Sequence, residues 1–392
     1  MSLPADLPQS TSDEAAHIRA LEDRIRGEIE AGGGWIGFAR FMELALYEPG
    51  LGYYSAGARK LGAAGDFITA PEVAPVFSRC VARQCAEVQA TLGGGEILEF
   101  GAGSGAMATV LLDELARLKA LPARYCILEV SAELRERQRA TLTQACPQLL
   151  ERIAWLDRLP KSFTGIMLAN EVLDAMPVER FVIRGGVVNE LGVTWQLGRL
   201  EWSETRAGAA LDTAVRGIER YLGAALPDGF TSELNLRLGS WFAGLARAMT
   251  SGVMLAIDYG LPRREYYAAE RRMGTMLCHY RHRFHDDPFT RLGLQDIGAW
   301  VDFSAAADAA QAAGFEVAGF TTQAHFLIGC GIGSYMREVS NLDLVQRLNL
   351  SRQAMLLTLP GEMGERFKAL GLTRGYHAPL SGFSVRDLRH LL

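Results

Sequence analysis

Glu99, Gly101, Gly103 and Gly105, followed by Glu129, Asp157, Asn170 and Glu171, are the residues of this chain whose types and spacing could do chemistry. Ile97 and Leu98 lead to Glu99; three glycines then alternate with Ala102 and Ser104, and a helical pattern starts at Ala106. Glycines at such a turn allow positive φ and close backbone approach. The helix start behind them offers free N–H groups to an anion. That combination suits a nucleotide-like ligand, and S-adenosylmethionine, with its carboxylate on the helix end, fits it. Gly101-x-Gly103-x-x-Ala106 also satisfies the dinucleotide pattern, so an NAD or FAD enzyme satisfies the same letters.

Three acids refine the reading. Glu129 ends the apolar run that starts at Tyr125, where a carboxylate can accept from both hydroxyls of a ribose; that suits either ligand. Asp157 ends the third strand, where an adenine amino group would lie. Glu99 separates the two ligands, because an acid just before the glycines repels a pyrophosphate and suits the ammonium of a methionine moiety, directly or through water. The long helical stretch ahead of the first strand points the same way. The residues therefore read as a methyltransferase. Asn170 and Glu171 follow the fourth strand and should face the cleft at its carboxyl end, while Asp174 reads as a cap for a following helix. Cys278–Asp287 is rich in potential ligands, but its mixed spacing and positive charge match no metal set.

These residues need a sheet behind them. With 392 residues, 49% hydrophobic and 22% charged, the chain can hold one large domain with insertions or two domains. A net charge of -5 argues against phosphate-backbone binding, so no nucleic acid is expected. The six cysteines form no C-x-x-C pair, and no apolar run approaches a membrane helix. A bacterial cytoplasm is the expected compartment rather than an imported organellar one.

Along the chain, a polar start precedes helices at 15–30 and 38–46, and a helix capped by Thr69 runs from Pro71 to Gly93. Strands at 96–100, 125–130, 153–157 and 165–171 run with helices in the order β-α-β-α-β-β, as in a doubly wound α/β sheet. A meander (181–184, 187–190, 194–197) turning at Gly185-Gly186 and two helices then interrupt it. The sheet resumes at Val253–Asp258, followed by a long loop at 259–303. A last antiparallel pair is expected at 315–320 and 325–328. The domain reading is an N-terminal helical extension (1–92), a core in two parts (93–178 and 251–332), an insertion (179–250) and a C-terminal tail (333–392).

Gly65–Glu72, Glu99–Gly105, Asn170–Pro177, Asp258–Gly260, Glu265–Tyr267, His279–Arg281 and Val301–Phe303 occur together and in order. In this the chain resembles the MidA-like methyltransferases over roughly Phe41 to Ile332, a family that includes the mitochondrial complex I assembly methyltransferase. The resemblance implies a class I methyltransferase (Rossmann-like) fold, a seven-stranded sheet whose last hairpin is antiparallel. It implies S-adenosylmethionine as cofactor and arginine methylation of a protein partner, a respiratory complex I subunit for the mitochondrial members. Carried onto this chain, Gly101, Gly103 and Gly105 become the cofactor loop, Glu129 the ribose acid, and Asn170 and Glu171 the catalytic edge. Glu171 is then the carboxylate that holds the guanidinium fork, with Asp66 and Asp258 as second partners. The plainer reading of Glu171 is a first-turn helix glutamate. An NAD- or FAD-dependent oxidoreductase, or an assembly factor that keeps the fold without turnover, are the competing functions.

Overall fold

The computed structural model describes residues 11–56, 69–338 and 343–392. The first ten residues and Gly65–Ile68, read above from the sequence, lie outside them. Contacts divide the chain, as far as those residues go, into two compact units. One comprises Met1–Phe67, Asp174–Arg237 and Arg263–Asp302; the other comprises Ile68–Leu173, Leu238–Pro262 and Phe303–Leu392.

The second unit carries the main sheet. Its strands, in chain order, are β1 (Glu96–Phe100), β2 (Tyr125–Leu128), β3 (Ile153–Leu156), β4 (Phe163–Asn170), β5 (Met249–Leu261), β6 (Glu316–Thr322) and β7 (Phe367–Arg374). In space they run β6-β7-β5-β4-β1-β2-β3. The five from β3 to β5 are parallel, and β7 lies antiparallel to both β5 and β6. This is the class I methyltransferase arrangement, and the strand order reverses at β1 and β4. Ligands in such sheets bind outside the carboxyl ends of strands at that reversal.

Central strands of a parallel sheet are covered on both faces, which is why they read as unbroken apolar runs. Ile97, Leu98, Ile166–Ala169 and Val253–Ile257 are all buried. Helices α1 (Ala70–Val73), α2 (Pro75–Leu92), α3 (Ala106–Arg117), α4 (Ala132–Ala145) and α5 (Leu238–Ala248) belong to the same unit. Phe77, Cys80 and Val81 of α2 and Leu111, Leu112 and Leu115 of α3 enter its core. Burying one such side chain contributes about 1.5–3 kcal/mol.

Several local expectations change. Thr69 does precede a helix, but its side chain caps nothing, and that helix ends at Val73. Ala74 is extended, at φ −156° and ψ 136°, and Pro75 starts α2. A residue before proline is pushed out of the helical region, so Pro75 splits what reads as one helix. The last strand pair is not 315–320 with 325–328. Thr322 accepts a hydrogen bond from the His325 amide at 3.3 Å and starts a helix at Gln323–Gly329; β7, from the segment read as a tail, takes the pairing.

The first unit is built on antiparallel strands Glu179–Arg184, Val187–Gln196 and Arg199–Arg206, with Thr231–Leu234 on the far side of the first. Gly185 and Gly186 turn the first hairpin at φ +54° and +77°. Residues 194–197, expected as a third strand, mostly extend the second, and the next turn falls at Leu197-Gly198. Helix Ser12–Ala31 starts in a capping box of Thr11 and Glu14. The stretch 259–303 is not a bare loop. β5 extends to Leu261, and Leu277–Tyr280, Arg283–His285 and Asp296–Gly298 form a three-stranded antiparallel sheet.

Candidate cofactor and acceptor site

The turn after β1 has the conformation that its glycines allow. Gly101, Gly103 and Gly105 take φ +60°, +54° and +84°, and Gly105 is the N-cap of α3 without a side-chain cap. The amides of the first turn of α3 therefore have no capping oxygen from Gly105, and the positive end of the helix dipole lies behind them.

Glu129 follows β2 and is 4% exposed. Its Oε1 accepts from the Ser131 amide at 3.0 Å and its Oε2 from Gln138 Nε2 at 3.0 Å. Burial pushes its pKa up against those donors. A carboxylate offers about four acceptor positions, so capacity remains for a hydroxyl donor. Gln138 also donates to the Gly103 carbonyl at 3.1 Å and accepts from Trp155 Nε1 at 2.9 Å. One amide thus ties the glycine turn, the acid and β3 together. Beside them, Val130 is 71% exposed, an apolar face next to the acid.

Asp157, after β3, is an exposed side chain paired to Arg135 at 2.6 Å. The same arginine donates to the carbonyls of Glu129 and Leu156, at 2.7 and 3.0 Å. Glu99 is 2% exposed and accepts from the Tyr125 hydroxyl at 2.6 Å. Burial raises its pKa to about 7, the Tyr125 bond pulling the other way and the charge of Glu129 adding to the rise.

At the end of β4, Asn170 Nδ2 donates to Glu171 Oε1 at 3.1 Å, and the Ala70 amide donates to the same oxygen at 3.2 Å. The buried Asn170 Oδ1 has no hydrogen-bond partner. Glu171 stands at φ +53° and its amide donates to the Ile257 carbonyl at 2.9 Å. It is therefore not a first-turn helix residue; the next element after β4 is the strand Glu179–Arg184, with no helix between them for Asp174 to cap. Helix α1 joins the two halves of the site, since Glu72 Oε1 accepts from Ser104 Oγ of the glycine turn at 2.9 Å. Asp66 lies outside the described residues.

Glu72, Ser104, Val130 and Gln138 were not singled out from the sequence. Gln138 had a readable signal: it falls between Leu134 and Leu142 on the buried stripe of α4, where a polar residue needs a partner. Glu72 stands at the end of the motif Gly65–Glu72, but its bond to Ser104 was not legible, because the two are 32 residues apart in the chain. Among the described residues, no three His, Cys, Asp or Glu gather as a metal set, and no helix is long and apolar enough to cross a membrane.

The comparisons bear directly on this arrangement. Residues 80–321 match the family described as "Putative S-adenosyl-L-methionine-dependent methyltransferase". A Burkholderia thailandensis protein crystallised with S-adenosyl-homocysteine is 39% identical, with a TM-score of 0.94, covering 99% of this chain and 100% of that one. Among curated relatives, "Protein arginine methyltransferase NDUFAF7, mitochondrial" of Danio rerio is 29% identical over 86% of this chain and 82% of its own length. The Drosophila melanogaster homologue is 25% identical over 98% of this chain and 93% of its own. S-adenosylmethionine is thus the cofactor, and a nicotinamide or flavin is set aside. With its sheet order and its glycine turn, the chain belongs to the S-adenosylmethionine-dependent methyltransferases.

Proposed function

We propose that this chain methylates an arginine of a protein substrate, with Glu171 as the carboxylate that holds the guanidinium. One observation carries the reading. A non-glycine residue stands in the left-handed region at the carboxyl end of β4, with its carboxylate oxygen fixed by Asn170 Nδ2 and the Ala70 amide. Such strain costs about 1–3 kcal/mol and persists where function or packing over-determines it. The names of the curated relatives support the acceptor class.

The cofactor-side roles follow the same geometry. Gly101, Gly103, Gly105 and the start of α3 would cradle the amino-acid end, Glu129 the ribose hydroxyls, and Val130 the base. Glu99 is assigned to the ammonium and Asp157 to the adenine amino group. The Arg135 pair occupies one oxygen of Asp157, which weights the base contact towards Val130.

S-adenosylmethionine supplies an electrophilic methyl group beside a positive sulfur. An arginine guanidinium stays protonated, with a free pKa above about 12, so it is a poor nucleophile and is repelled by that charge. A carboxylate that takes two of its N–H donors offsets the repulsion and turns one nitrogen towards the methyl carbon. Asn170 and Ala70 hold Oε1 of that carboxylate in place. Overall, one C–N bond forms, the S–C bond breaks with its electron pair left on sulfur, and the guanidinium gives up one N–H proton, which passes to solvent water. By the resemblance noted above, a respiratory complex I subunit is the proposed partner, in a bacterial cytoplasm.

The test is mass spectrometry of cell proteins with and without this enzyme. Loss of specific methylarginine sites in its absence is expected. An unchanged methylarginine set, with another methylated residue lost, would replace the acceptor class.

A further inference from the structure

Asp258 ends the buried run of β5, directly beside β4, where Ile257 pairs with Asn170. It is 1% exposed. Its Oδ2 accepts from the amides of Val172 and Leu173, at 3.1 and 2.9 Å, and its Oδ1 accepts from the Tyr259 amide at 2.9 Å. The Glu171 amide is bonded to the carbonyl of the preceding residue, Ile257. Residues 257 and 258 thus grip the backbone at three successive positions, 171, 172 and 173.

We propose that Asp258 is a positioning residue for methyl transfer: its carboxylate clamps the 171–173 turn and so holds Glu171 in its left-handed conformation. This rests on the reading of Glu171 given above. The chemistry explains the residue type. Three converging amide donors need an acceptor on every side, and only a carboxylate has no donor of its own. An asparagine of the same shape would turn an NH₂ group towards at least one of them. Buried bonds to a charged acceptor are the strong ones, so the clamp can hold a strained turn that the strand end alone would release. A guanidinium-binding role, the sequence expectation for Asp258, suits it less, because it is buried and its oxygens face the backbone.

A double-mutant cycle tests this. Wild type, Asp258→Asn, Glu171→Gln and the double variant are assayed for tritiated methylarginine formed in an extract of cells lacking the enzyme. Affinity for S-adenosylhomocysteine is measured by calorimetry in parallel. Asp258→Asn is expected to lower the rate about 10-fold or more in the wild type, yet less than 2-fold in the Glu171→Gln background, with cofactor affinity unchanged. Equal fold losses in both backgrounds, or a near-normal rate for Asp258→Asn, overturn the positioning role alone. Near-normal turnover of Glu171→Gln overturns both readings. Should Asp258→Asn fail to fold, Asp258→Glu, which keeps the charge but moves it by one methylene, carries the same cycle.

Discussion

Glu99 offers a prediction with a sign, a window and a size. It is a buried carboxyl against Tyr125, with its pKa raised to about 7 from an ordinary 4.5. A raised folded-state pKa means that the folded protein binds the proton more tightly than the unfolded chain does. The contribution to stability is fully present below about 4.5 and is lost as pH rises through about 7. Between these limits the loss is on the order of 3 kcal/mol, at about 1.36 kcal/mol for each unit of pKa difference. Glu99→Gln keeps the shape and cannot titrate. Urea unfolding of the two proteins at several pH values from 4.5 to 8.5 therefore measures Glu99 alone. The wild type should lose stability relative to Glu99→Gln as pH rises, steepest between about pH 5 and 6.5 and levelling off above about 7.5. A constant difference would mean that Glu99 titrates as an ordinary exposed carboxyl, and the argument from burial would fail. The same group gives a linked result: if an ammonium is its partner, S-adenosylhomocysteine binding at pH 6.5 should release about three-quarters of a proton. Calorimetry in two buffers of different ionisation enthalpy reads this, and no release would remove Glu99 from the ammonium role.

Two further predictions concern the cofactor. Gly103→Val places a branched side chain at φ +54° and should abolish S-adenosylhomocysteine binding while circular dichroism stays native; normal affinity in the folded variant would move the site elsewhere. Glu129→Ala should weaken binding by about 1–3 kcal/mol, the scale of a charged acceptor lost to two hydroxyls. An analogue lacking both hydroxyls should be indifferent to that change, and equal losses for the two ligands would remove the ribose assignment.

What could be read in the chain, and what could not, follows the range of the interactions. The glycine turn, the acid after β2 and the start of α4, where Ser131 Oγ accepts from the Leu134 amide at 3.3 Å, depend on neighbours within a few residues, so residue types announce them. The partner of β6 comes from Phe367–Arg374, beyond a helical stretch that no local window spans, and Thr322 starts a helix where the alternation suggests a strand. The break at Pro75 was legible in principle from the proline rule, but the apolar spacing of the helix masks it. Glu171 was singled out at the end of its strand, yet nothing in its own segment signals a left-handed backbone. The backbone bonds around it run to Ile257 and Asp258, a strand away in space and far along the chain. The three-stranded antiparallel sheet in 277–298 has strands of only three or four residues, too short for a period to register.

The central claim is that Glu171 serves the methyl acceptor and not the fold or the cofactor. Glu171→Gln tests it most directly, because it keeps the size of the side chain and removes its charge. With tritiated S-adenosylmethionine and an extract of cells lacking the enzyme, methylarginine formation should fall by about 100-fold or more, the scale of a lost positioning contact. Affinity for S-adenosylhomocysteine and the melting temperature should stay at their wild-type values. A folded Glu171→Gln enzyme that makes methylarginine at a near-normal rate would contradict the account.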